Sequence, residues 1–256
     1  MENDIAESEA PACGPWRTLL RGLSDVVFPP ACVHCRGLVP DDSEFRHLCG
    51  KCAAQLDYVQ RPFCTTCGHP FYGVVEGERL CPHCEGLAPA YREGRTAVLL
   101  KGAARALVHE LKYHRGLHVL EDMERIFRRS AAVVELARGA VLVPVPLHPR
   151  KLRERTYNQS ELIAECLARA AGGGARVQRI LQRSVDTDSQ THHDRRTRQS
   201  NLKNAFALAR DAVIHPGHSY LLVDDVFTTG STLNSCALVL RRAGGVNLDV
   251  VTFGHG

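Results

Sequence analysis

Eight cysteines and one acidic, hydroxyl-rich run hold the residue types that could do chemistry in this chain. Cys32, Cys35, Cys49 and Cys52 are followed by Cys64, Cys67, Cys81 and Cys84, four C-x-x-C pairs in which the second quartet repeats the first at an offset of 32 residues. Such a period marks an internal duplication. A C-x-x-C turn brings two thiolates to one metal, and a second turn closes the tetrahedron. Gly37, Gly50 and Gly68 supply the small residues that these turns use. The spacing predicts two structural Zn2+ sites; the same thiolate sets also suit iron. Four protein ligands leave no coordination position for a substrate, so the metal is expected to hold the chain together. His34, His69 and His83 stand beside the ligands as alternative donors, and Cys13, Cys166 and Cys236 fall outside the repeat.

The second group is Leu221-Leu222-Val223-Asp224-Asp225-Val226-Phe227-Thr228-Thr229-Gly230-Ser231-Thr232. It reads as a buried strand, two carboxylates, a hydroxyl-rich turn around Gly230 and the start of a helix. The first backbone N–H groups of a helix lack intrahelical acceptors and attract anions. Thr228, Thr229, Gly230, Ser231 and Thr232 are therefore expected to cradle a phosphate. Carboxylates repel phosphate, so Asp224 and Asp225 must face another part of the same ligand: ribose hydroxyls, or the Mg2+ that accompanies a pyrophosphate. The run has neither the Lys of a P-loop nor the G-x-G-x-x-G of a dinucleotide site, which disfavours a nucleoside triphosphate or NAD.

Two differently built regions position these groups. Residues 1–90 carry 7 Lys/Arg against 12 Asp/Glu, whereas the rest of the chain is basic. The expected division is a segment 1–28, a double zinc ribbon 29–90 and a larger domain 91–256. A ribbon of about 60 residues with few large apolar side chains buries too little surface alone, so metal binding is expected to supply the missing folding energy. Beyond it, apolar runs predict strands at Arg95–Leu100, Val141–Val145, Tyr220–Val223 and Val246–Thr252, with another beginning near Val177. Helical spacing predicts helices over 102–113, 118–137, 157–170 and 232–243. Alternation of apolar strands and amphipathic helices argues an α/β fold with a parallel sheet covered on both faces.

The run Tyr220–Thr232 resembles the signature of type I phosphoribosyltransferases, which bind phosphoribosyl pyrophosphate. The wider chain resembles the ComF family: a double zinc ribbon, then Leu111-Lys112-Tyr113, Val143-Pro144-Val145-Pro146-Leu147, Glu154-Arg155-Thr156-Tyr157-Asn158-Gln159, then Gln190, Arg195, Arg198, Asn201 and Ala205-Phe206. The resemblance implies that Asp224 and Asp225 meet the ribose hydroxyls, directly or through Mg2+, and that Thr228–Thr232 hold the 5′-phosphate. It places the pyrophosphate at the loop after Val145, with Pro146 and with counter-charge from Arg150, Lys151, Arg153 and Arg155. Residues 184–203, with Arg195, take the place of a mobile hood, and His192 and His193 on it are the titratable candidates for orienting a nucleophile. One departure stands out. The family has Gly-Phe where this chain has Thr156-Tyr157, at a turn expected to need positive φ.

The basic charge of 91–256 concentrates in Arg150–Arg155 and around Arg195, where it suits a phosphate-rich ligand or a single-stranded DNA path. The ComF resemblance implies a role in natural transformation, with single-stranded DNA and a helicase-like DNA-uptake protein as partners. Three readings stay open: a phosphoribosyltransferase serving DNA uptake, a non-catalytic adaptor that senses phosphoribosyl pyrophosphate, and a nucleobase-salvage transferase unconnected with DNA. The first ten residues hold four acids and no base, unlike a secretory leader. A cytoplasmic protein is expected, brought to the inner face of the membrane through a partner.

Overall fold

The structure, a computed structural model, describes residues 29–73, 80–84, 86–183 and 205–256. Its centre is a five-stranded parallel sheet of β1 (Gly94–Leu99), β2 (Val141–Pro144), β3 (Arg176–Val177), β6 (Ser219–Phe227) and β7 (Asn247–His255), in the order β1-β7-β6-β2-β3. A separate antiparallel pair, β4 (Leu181–Arg183) and β5 (Phe206–Leu208), matches Leu181 with Leu208. The α/β class expected from the sequence is the one observed. All six residues of β1 are buried, and β7 is buried from Leu248 to His255, as a sheet covered on both faces requires.

The helices are α1 (Gly50–Ala53), α2 (Gly102–Tyr113), α3 (Leu120–Arg129), α4 (Ala131–Ala137), α5 (Pro149–Arg155), α6 (Gln159–Ala171) and α7 (Ser231–Arg242). On one face, α2, α3, α4 and α6 pack Leu107, Leu111, Met123, Phe127, Ile163 and Leu167 against Leu142, Leu221, Val223 and Val251. On the other, α7 packs Leu233, Ala237 and Leu240 against Val143, Tyr220, Leu222 and Val250. The single helix expected over 118–137 is two. Ser130 leaves helical geometry (φ −97°, ψ 76°), and its hydroxyl donates to the Ile126 carbonyl at 3.1 Å, a local bond that competes with the helical ladder. Residues 149–155, where apolar spacing gives no helix, form α5: Pro149 occupies its first turn, and the His148 ring accepts from the Arg150 N–H. It is held by its cap and buries none of its residues.

The duplication is visible in the backbone. Cys32 donates to the Gly37 carbonyl at 2.7 Å and Cys64 to that of His69 at 2.8 Å; Arg36 donates to Cys32 and Gly68 to Cys64, each at 2.8 Å. The left-handed residue of each turn is Arg36 (φ 64°) and Gly68 (φ 76°), so the first turn bends at Arg36, one residue before the expected Gly37. Only the second copy requires glycine for space. A Cβ on Gly68 would lie 2.6 Å from the Thr96 nitrogen of β1.

The ribbons are built into the larger domain. Val33, Val39, Phe45 and Leu48 of the first join the core beneath α2 and α3, and the four cysteines of the second join the core beneath α7. The segment between them lines β1, with Val59 donating to the Ala97 carbonyl at 3.0 Å and Leu99 to that of Asp57 at 2.9 Å. That covers a sheet edge which would otherwise expose unpaired backbone groups.

Candidate ligand and metal sites

Each cysteine quartet converges. The sulfurs of Cys32, Cys35, Cys49 and Cys52 lie within 4.8 Å of one another, as do those of Cys64, Cys67, Cys81 and Cys84. Four soft donors at that separation fit tetrahedral Zn2+, so His34 and His69 are not needed as ligands; the side chain of His83 lies outside the described residues, as does Cys13. The second quartet is wholly buried, whereas the first exposes Cys35. Cys166 and Cys236 are isolated buried thiols.

The other site sits where the winding of the sheet reverses. From β2 the chain crosses by α6 to β3, and from β6 it crosses by α7 to β7 on the opposite side. Ligands of open α/β sheets bind in the crevice beyond the carboxyl ends of strands at such a switch point. Here the crevice is flanked by the turns after β2 and β6. Pro144 pairs with Val223, and Val145 donates to the Val223 carbonyl at 3.0 Å, so Pro146 runs alongside the acids.

At the end of β6, Asp224 is half-buried and its Oδ1 accepts from the Ser160 hydroxyl at 2.8 Å and from the Asp225 N–H at 2.9 Å. Burial pushes its carboxyl up to about 6, against the lowering effects of the Ser160 bond and of Lys112. Asp225 is 5% exposed and ion-pairs with the Lys112 ammonium of α2. Thr228 and Thr229 are exposed, Gly230 is buried in the left-handed region (φ 70°), and Ser231 opens α7. The Thr229 and Ser231 hydroxyls lie 3.0 Å apart, and the Ser231 N–H reaches Thr229 at 3.4 Å. Glycine is required at 230, since a Cβ there would lie 2.6 Å from the Phe227 ring and 3.0 Å from Leu87.

The Glu154–Gln159 motif turns out to brace this site. Tyr157 donates its hydroxyl to the Leu111 carbonyl, fixing the last turn of α2 beside Lys112. Asn158 caps α6 through the Ser160 N–H and donates to the Val145 carbonyl at 3.0 Å, tying down the turn after β2. Gln159 accepts from Arg155 at 2.9 Å, while the Arg155 guanidinium lies 5.4 Å from the Tyr113 ring centre. Arg155 is thus turned toward α2, and Arg153 is exposed on α5. Arg195, with Gln190, His192, His193, Arg198 and Asn201, lies outside the described residues. A cleft of about 550 Å3 between α5, α6 and β4 shares Pro146 with this crevice and has Leu152, Tyr157, Leu162 and Arg183 in its wall.

Sequence reasoning gave no role to Lys112 or Ser160. The signal for Lys112 was its motif; Ser160 had only its place after an Asn cap. Thr156, by contrast, adopts the positive φ (72°) that glycine normally supplies, as the left-handed end of α5. A β-branched residue there is strained by about 1 kcal/mol or more. Thr156→Gly should raise the unfolding temperature by roughly 2–4 °C in thermal denaturation; an unchanged or lower midpoint would refute the strain.

Residues 23–85 match the family model described as a double zinc ribbon domain. Over 227 residues the chain is 30% identical to DNA utilization protein YhgH of Salmonella typhimurium, covering 87% of this chain and 95% of that protein. The chain belongs to the ComF family. Competence protein F of Haemophilus influenzae is another relative, 28% identical over 223 residues, covering 86% of this chain and 94% of that one. Competence protein ComFC of Bacillus subtilis is 23% identical, covering 81% of each. Among solved structures, a hypoxanthine phosphoribosyltransferase from Staphylococcus aureus gives a TM-score of 0.33 at 18% identity over 52% of this chain and 62% of that one. Among the described residues, no helix is long and apolar enough to cross a membrane.

Proposed function

We propose that this ComF-family chain binds phosphoribosyl pyrophosphate with Mg2+ at the β2–β6 switch point and acts in DNA uptake. The observation that carries the reading is the joint position of three parts: the Asp224-Asp225 pair, the Thr228–Thr232 turn opening α7, and the Pro146 turn beside them. The α7 N-terminus and the threonine and serine hydroxyls suit the 5′-phosphate. The acids suit the ribose hydroxyls or a metal shared with the pyrophosphate. Lys151 and Arg153 on α5 supply positive charge near the pyrophosphate position, while the Arg150 charge is paired with Glu154 on the same helix. Because α5 is exposed, the same helix offers a charged stripe to single-stranded DNA. The relatives' names, competence and DNA utilization proteins, support that context, and transferase chemistry remains the extension of the binding reading.

Calorimetry with phosphoribosyl pyrophosphate and Mg2+ tests the site. Asp224→Ala with Asp225→Ala should abolish the binding heat, and intact affinity in that double variant would refute the assignment. The pH dependence has a definite sign. Binding needs a charged acid, so affinity should hold above pH 6 and fall as pH drops through about 6, where Asp224 takes up its proton.

A further inference from the structure

The acid pair is not symmetric. Asp224 is half-buried at the mouth of the crevice, held by Ser160 and by the backbone. Asp225 is buried, and the Lys112 ammonium, itself only 21% exposed, stands against its Oδ2 as an ion pair without hydrogen-bond geometry. A buried carboxylate with that partner already in place has little need of a second cation, and unpaired it would be costly.

Resting on the ligand reading above, we propose that Lys112 is a positioning residue: its ammonium is the resident counter-ion of Asp225, so that Asp224 alone meets the sugar or its metal. The surroundings agree. Tyr157 pins the end of α2 by its bond to Leu111, which fixes where Lys112 can reach. Arg155 and Lys151 lie close enough for their charges to press on the ammonium, and Asp224 draws it the other way. With Lys112 in place the two acids and one ammonium carry a single net negative charge. Without it they carry two, set beside a ligand that brings several more.

The test is a charge-balanced cycle in the zinc-loaded full chain. In ligand-free thermal unfolding, Lys112→Met and Asp225→Asn should each lower the midpoint by roughly 10 °C, as breaking a buried pair does, while the double variant should return to within about 3 °C of the parent. In calorimetry with phosphoribosyl pyrophosphate and Mg2+, Lys112→Met should weaken binding about 100-fold, and both Lys112→Arg and the Lys112→Met/Asp225→Asn double variant should stay within about fivefold of the parent. Asp224→Asn should lose binding in every background. A double variant as weak as the worse single one would mean that Asp225 meets the ligand itself, overturning the assignment. If the parent protein shows no binding, the ligand reading falls, and the unfolding cycle still decides the pairing: additive losses refute it. Where Lys112→Met does not fold, Lys112→Gln takes its place in the same cycle.

Discussion

Replacing Cys84 with serine should remove one zinc per chain and weaken phosphoribosyl pyrophosphate binding at least 100-fold, whereas Cys35→Ser should also remove one zinc yet leave binding within about fivefold. The two quartets are chemically alike but attached to different things. From the second, the His69 N–H reaches the Cys67 sulfur at 3.4 Å, and the His69 ring meets His255 edge-on with centres 4.8 Å apart. His255 stacks on Phe227 at 5.2 Å, and Phe227 lies directly under Gly230. Leu87, just past Cys84, presses on the same glycine. Asn234 in α7 accepts from the Ala90 N–H at 2.7 Å and donates to the Ala88 carbonyl at 3.1 Å. The proposed phosphate turn therefore rests on the second ribbon. A structural zinc contributes on the order of 10 kcal/mol to its module, far more than a Cys→Ser variant of this buried quartet could recover by packing. The first quartet supports Phe45 and Leu48 over α2 and α3 and carries the exposed Cys35, so its loss should lower the unfolding temperature without reshaping that turn. Metal analysis and calorimetry on the two variants decide the matter; equal losses of affinity would refute the division of labour.

How much of this was legible in the sequence differs by residue. The quartets and the β6–α7 run declare themselves because all their parts are local: short C-x-x-C turns, and an apolar strand feeding acids and hydroxyls into a helix. The parallel sheet follows from its apolar runs, since strands buried on both faces need no alternation. What stayed hidden is the work of residues distant in sequence. Lys112 and Asp225 meet only because α2 packs beside the end of β6, and no local pattern records that. Ser160 looks like an ordinary first-turn serine until Asp224 is found against it. The α5 helix carries charge where periodicity looks for apolar residues, so the apolar pattern passed over it, and its Pro149 start is seen in the structure. The break at Ser130 depends on a single hydroxyl finding the Ile126 carbonyl, a choice that helical spacing over 118–137 does not encode. Thr156 shows the reverse case: its residue type argues against a left-handed turn, yet the surrounding site imposes one.

The sequence also gives no hint that an acid in the larger domain organises the first ribbon. Asp122 of α3 is fully buried, and its two oxygens accept from the Arg46 and His47 N–H groups of that ribbon, each at 2.8 Å. Arg125 stands 3.9 Å away. Asp122→Ala would leave two backbone donors without these acceptors, a cost of about 3–5 kcal/mol for charge-assisted bonds in a buried setting. The expected result is a fall of roughly 10 °C in the unfolding midpoint, with both zincs retained, because the cysteines themselves are untouched. Burial raises the Asp122 carboxyl above its ordinary value despite the two backbone bonds. The folded state therefore holds that proton more tightly than the unfolded chain does, and the parent gains stability relative to the alanine variant as pH falls through the folded value. The gap between the two proteins should widen on acidification. A gap that narrows instead would show that the charged form, held by the Arg46 and His47 N–H groups, is the favoured one, and that the bonds outweigh the loss of solvation.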